Sequence, residues 1–148
     1  MSTSRGPSPR TVFTTGERRR ARERALALLY ESEVKAEPLD AVLAELPVAP
    51  EPYAETLARG VAAHTTRLDV LISAHAQAWS VARMPAIDRQ LLRLGTYELD
   101  FEREVPAAVV LDEAIELAKQ YSTEDSSRFV NGVLAALARE LRANEVGA

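Results

Sequence analysis

Cysteine is absent from the 148 residues, tryptophan occurs once, histidine twice and glycine six times. Without cysteine there is no disulfide framework, no thiolate nucleophile and no cysteine zinc site, so stability has to come from packing alone. His64 and His75 fall on an apolar helical stripe and read as core or boundary residues rather than as metal ligands. No apolar run approaches the roughly 20 residues needed to span a bilayer. The opening MSTSRGPSPRTVFTTGE has no apolar stretch of the kind a secretory signal carries, so a cytoplasmic protein without membrane contact is expected. Nothing resembles a phosphate-binding glycine loop, a zinc helix motif or a serine nucleophile turn.

What is present is charge, unevenly placed. Hydrophobic residues make up 47% and charged residues 27%, as in an ordinary globular protein of one domain. The net charge of -4 conceals a basic opening: residues 1–24 carry seven arginines against Glu17 and Glu23. The remainder holds 11 basic and 20 acidic side chains. Such a split points to a basic arm that meets a polyanion and an acidic body that meets a basic protein.

Apolar residues recur at helical spacing almost throughout, and no segment alternates with period two for long enough to make a strand. The fold class expected is all-α, a bundle of about seven helices in two subdomains. Residues 1–13, rich in Ser, Thr, Pro and Arg, read as a disordered basic tail. The N-terminal subdomain is 14–77 and the C-terminal one 78–148, with the break at AWSVARMPA, and together they form one domain. Thr14 with Glu17 resembles a capping box opening a helix to about residue 35, and Thr66 with Asp69 resembles another. Pro38 suits the first turn of a short helix through Leu46, and Pro85 the opening of a long one. STEDSS, residues 122–127, reads as a loop whose side chains cap the last helix.

GERRRARERALALLY, residues 16–30, holds Arg18, Arg19, Arg20, Arg22 and Arg24 within seven positions. Like charges four residues apart destabilise a helix, and cations are unfavourable at its N-terminus, so two local rules are broken together. An external ligand can supply the missing charge, and guanidinium forks suit phosphates and bases. RNA or another polyanion is therefore preferred over the competing reading, a solvated helix face. Trp79 reads as a packing anchor, and Asp88 either as a first-turn acid favoured by the helix dipole or as a contact to a basic partner. Asp112, Glu113 and Glu116 give little support to metal binding or acid and base catalysis, and neither a metal nor a cofactor is expected. Gly132 in FVNG is expected to permit close backbone packing.

RRRARERALALLY, ARMPAIDRQLLRLGTYEL and VVLDEAIELAKQYSTEDSSRFVNGVL, in this order and at this spacing over about residues 18–138, resemble the NusB family of bacterial transcription antitermination factors. The resemblance implies a non-enzymatic helical bundle that binds single-stranded boxA RNA of ribosomal RNA operon leaders. It also implies pairing with NusE, a small-subunit ribosomal protein, within an RNA polymerase antitermination complex. Arg18, Arg19, Arg20, Arg22 and Arg24 then match the RNA-binding stretch, joined by Arg128 and Phe129, while Tyr30, Asp88 and Asp125 match positions on the NusE side. Asp112 stands where the family usually has asparagine and Gly95 where alanine is common. Some members form homodimers, so monomer and homodimer are both open. Two other readings are a helical RNA-binding module like that of ribosomal RNA methyltransferases and a protein-only adaptor. The first lacks the βαβ sheet and glycine-rich turn of a methyl-donor domain.

Overall fold

A computed structural model describes residues 15–77 and 79–146. The expected basic tail, with Arg5 and Arg10, and the Thr14 half of the first capping box lie outside the described residues. Among the described residues there are eight α-helices and no strand: α1 (Thr15–Lys35), α2 (Leu39–Ala44), α3 (Pro52–Ala63), α4 (Thr65–Ser73), α5 (Ala86–Phe101), α6 (Ala107–Tyr121), α7 (Glu124–Leu141) and α8 (Ala143–Val146). One 3₁₀ turn, Val81–Arg83, precedes α5.

Proline places half of the eight helix starts. Pro38, Pro85 and Pro106 are the N-cap residues of α2, α5 and α6, and Pro52 is the first residue of α3. Its fixed φ suits a helix entry, where the missing N–H would have had no partner anyway. The start of α7 has a side-chain cap instead, Thr123 Oγ1 accepting from the Ser126 N–H at 3.0 Å. The Thr66 capping box does not form, because α4 begins at Thr65 and the Asp69 carboxylate is taken by Arg93 Nε at 2.8 Å. α1 ends on Ala36 at φ 55, with the Glu37 N–H bonded to Ser32 O and the Ala36 N–H to Glu33 O. That double closure is a Schellman motif with alanine where glycine is usual.

Two groups of buried side chains make the core. The first joins Ala25, Leu26 and Leu29 of α1 to Leu57 and Val61 of α3, Leu91 and Leu94 of α5, and Leu117 of α6. The second joins Ile72 and Met84 to Leu92 and Leu99 of α5, Val110 of α6, and Val130, Leu134 and Leu137 of α7. α5 serves both, which explains why nine of its last twelve residues before Phe101 are buried, among them Gln90, Thr96 and Glu98. Its crossing with α7 is close at Gly95, where a Cβ would come within 2.8 Å of Leu134 Cδ1.

Gly132 does not play the part expected of it. It lies exposed on α7 with no heavy atom within 4 Å of an added Cβ, so no helix approaches there. An exposed mid-helix glycine mainly adds backbone entropy to the unfolded chain. Gly132→Ala is expected to raise the unfolding free energy by about 1 kcal/mol, seen as a higher denaturation midpoint at unchanged m.

At the far end of α5 a fully buried arginine closes the helix. Arg142 donates from Nε to Leu99 O at 2.7 Å, from Nη2 to Glu98 O and Glu102 O, and from Nη1 to Val105 O and Glu145 Oε2. Those carbonyls belong to the last turn of α5 and the bend after it, where backbone donors run short: Glu98 O and Glu102 O each have one, from the Glu102 and Val105 N–H groups.

Candidate nucleic-acid interface

The first two turns of α1 sort their five arginines into three environments. Arg22 is interior. Only 3% of its side chain is exposed, and its Nε donates to Glu98 Oε1 at 2.9 Å and Oε2 at 3.0 Å. The Tyr53 hydroxyl donates to Glu98 Oε2 at 2.7 Å, so one buried carboxylate ties together α1, α3 and α5. Burial alone would lower the Arg22 pKa, but the charge and hydrogen bonds of Glu98 outweigh it and hold the guanidinium above its ordinary value. This corrects the expectation that Arg22 meets RNA, since its charge is answered inside the fold by a carboxylate 76 residues away in sequence. The spacing carried a signal of this: Arg22 shares its helix face with Ala25, Leu26 and Leu29, the stripe that enters the core.

Arg18 and Arg19 are anchored but not buried. The Arg18 guanidinium lies 4.4 Å above the centre of the Tyr53 ring, a cation–π contact. Arg19, with 51% of its side chain exposed, donates from Nε to Glu113 Oε1 at 2.9 Å and from Nη2 to Glu113 Oε2 at 2.8 Å. The hydrogen bonds from Arg19 hold the Glu113 carboxyl below the usual carboxylate range, against the opposing effect of burial.

Arg20 and Arg24 are different. Both are exposed, and neither side chain makes an ion pair or hydrogen bond with any described residue. They are four residues apart on the outer face of α1, so their mutual repulsion is unrelieved within the described fold. Between them in sequence, Glu23 is engaged by Gln120 Nε2 at 3.1 Å and by the Tyr121 hydroxyl, both at the end of α6. α1 and α6 are therefore linked through side chains twice, at Arg19 with Glu113 and again at Glu23 with Tyr121.

α7 begins three residues beyond that seam. Asp125 and Arg128 are exposed and paired with each other across one turn, and Phe129 is half-buried against the second core. Trp79 meets Phe129 edge to face, with ring centres 5.2 Å apart, and keeps 38% of its surface exposed. The structure thus gathers Asp125, Arg128, Phe129 and Trp79 into one patch, half packing anchor and half open aromatic surface.

Of the residues expected to face a protein partner, Tyr30 is exposed on α1, in line with exposed Ala27 and Val34. Asp88 is not. It is fully buried, its Oδ1 accepting from the Ser122 hydroxyl at 2.8 Å, where it links the first turn of α5 to the end of α6. The expectation of a surface contact fails because α5 has no free face at this point, with Leu91 and Leu92 one turn on both in the core. Arg89 and Arg93 are likewise engaged, by Glu33 and Asp69. Among the described residues no three His, Asp or Glu side chains are grouped so as to hold a metal ion, and no helix is long and apolar enough to cross a membrane.

Residues 19–139 match the model of the NusB family. The chain belongs to the NusB family. The transcription antitermination protein NusB of Saccharopolyspora erythraea is 48% identical over 130 residues, covering 83% of this chain and 87% of that one. Among solved structures, T. maritima NusB superposes with a TM-score of 0.75 at 40% identity, covering 83% of this chain and 91% of that one. A crystal structure of the antitermination factors NusB and NusE in complex with dsRNA superposes with a TM-score of 0.72 at 29% identity, covering 83% of this chain and 96% of the other. The NusB fold is thus present over the helices that carry the arginines and the Asp125 to Phe129 patch.

Proposed function

We propose that this chain is an RNA-binding transcription antitermination factor that works by binding rather than by catalysis. Its partners are boxA RNA of ribosomal RNA operon leaders and NusE, and the assembly acts on RNA polymerase so that it reads through terminators. Arg20, Arg24 and the outer edge of Arg19 contact phosphates, and Arg128 with Phe129 reads and stacks bases. The exposed face of α1 at Tyr30, with Asp125, receives the basic ribosomal protein.

The observation that carries this reading is the exposed pair Arg20 and Arg24 without counterparts, on a helix whose other arginines are fastened to the body. Three phosphate contacts, from Arg19, Arg20 and Arg24, give a slope of log K against log salt of roughly -2 on a single strand. Replacing Arg20 and Arg24 together by glutamine is expected to flatten that slope by about 1.4 and to leave the helical fold unchanged. An unaltered slope would remove α1 from the interface. Titration of boxA, scrambled and duplex RNA, each with and without NusE, checks specificity, and equal binding of all three in both conditions argues against it.

A further inference from the structure

Glu113 is a carboxylate placed where an RNA phosphate would be repelled, and its geometry gives a reason for its presence. Only 7% of its side chain is exposed, and it stands in the middle of α6, a helix packed into both cores. It occupies one edge of the Arg19 guanidinium, the Nε and one Nη2 hydrogen, with both of its oxygens. A guanidinium has five N–H donors in a fixed plane, so the opposite edge, two Nη1 hydrogens and the second on Nη2, remains a complete fork suited to a phosphate. Arg19 is otherwise half exposed, and a long side chain on an open helix turn loses rotamer freedom when it binds. Held by Glu113, it has lost that freedom before the RNA arrives.

We propose that Glu113 is a positioning residue for RNA binding, fixing Arg19 so that its outer fork faces a phosphate of the strand. The inference rests on the RNA-binding reading above. It differs in sign from simple electrostatics, which counts Glu113 as a nearby negative charge whose removal tightens RNA binding. Glu116, one turn along α6, provides the comparison: its charge acts on Arg19 through space, and it makes no hydrogen bond to it.

The test titrates single-stranded boxA RNA with the wild-type protein and with Glu113→Gln, Glu116→Gln, Arg19→Gln and the Arg19→Gln, Glu113→Gln pair over a salt series. Glu113→Gln is expected to bind about three- to tenfold more weakly, with a slope reduced by about 0.7, and to have no effect once Arg19 is glutamine. Glu116→Gln is expected to bind as tightly as wild type or tighter. Binding by Glu113→Gln equal to or tighter than wild type overturns the inference. A second readout needs no variant that could misfold: the Arg19 Nε–H resonance should keep its carboxylate-bonded position when wild-type protein is saturated with RNA. Its loss would show that Arg19 leaves Glu113 to reach the strand, making Glu113 a competitor. If the wild-type protein and Glu116→Gln both fail to bind the RNA at low salt, the RNA-binding reading itself falls.

Discussion

Arg142→Met is expected to lower the unfolding free energy by about 3–5 kcal/mol, enough to move Tm down by roughly 10 °C. The side chain is fully buried and satisfies carbonyls of Glu98, Leu99, Glu102 and Val105 together with the Glu145 carboxylate. Methionine fills much of the same volume, so the loss is one of hydrogen bonding rather than of packing. Glu98 O and Glu102 O keep a second donor, from the N–H groups of Glu102 and Val105 respectively. The other two carbonyls lose the donor that the guanidinium supplies, and a buried polar group stripped of its partner costs about 1–3 kcal/mol. Chemical denaturation followed by circular dichroism measures the change directly. A loss below about 1 kcal/mol would mean that water takes over the role of the guanidinium.

The second large effect is expected at Arg22, and it is an effect on folding rather than on RNA. Arg22→Met leaves Glu98 charged and buried beside Tyr53, a change that costs about 3–5 kcal/mol when one partner of an interior pair is removed. The salt slope for RNA should stay that of the wild type in the folded fraction, because Arg22 faces the core. Adding Glu98→Gln should recover part of the loss, since a neutral amide still accepts from the Tyr53 hydroxyl and carries no charge to be compensated. A flattened salt slope for Arg22→Met, with stability intact, would return this residue to the interface. The two arginines four positions apart, Arg18 and Arg22, thus serve α1 in different ways. One sits on an aromatic ring near the surface and the other is locked beneath it.

Local features were legible in the sequence. α1 reaches Lys35 as its apolar spacing predicts, and Pro38 and Pro85 mark the entries to α2 and α5. These depend on neighbours within one helical turn, which periodicity and capping rules describe. The candidate site was legible in part. The arginine cluster does mark the helix with uncompensated charge, and the stripe that Arg22 shares with Ala25, Leu26 and Leu29 marks it as inward, but nothing local names the carboxylates that engage Arg22 and Arg19. They are Glu98 and Glu113, 76 and 94 residues away, and pairing at that range leaves no local pattern. Asp88 escaped for a related reason. A first-turn acid looks solvated when the helix is assumed to have an outer face, and α5 lies between two cores. Arg142 gave no signal at all, since its carbonyl partners are backbone atoms and any residue type would supply them.

The sharing of α5 between both cores also governs how the molecule comes apart. Neither half retains its own interior once that helix leaves, so the loss of α5 takes both cores with it. An arginine arm mounted on α1 and an aromatic patch mounted on α7 are therefore tied to a single cooperative unit. Their spacing persists for as long as the fold does, as two jaws set in one casting.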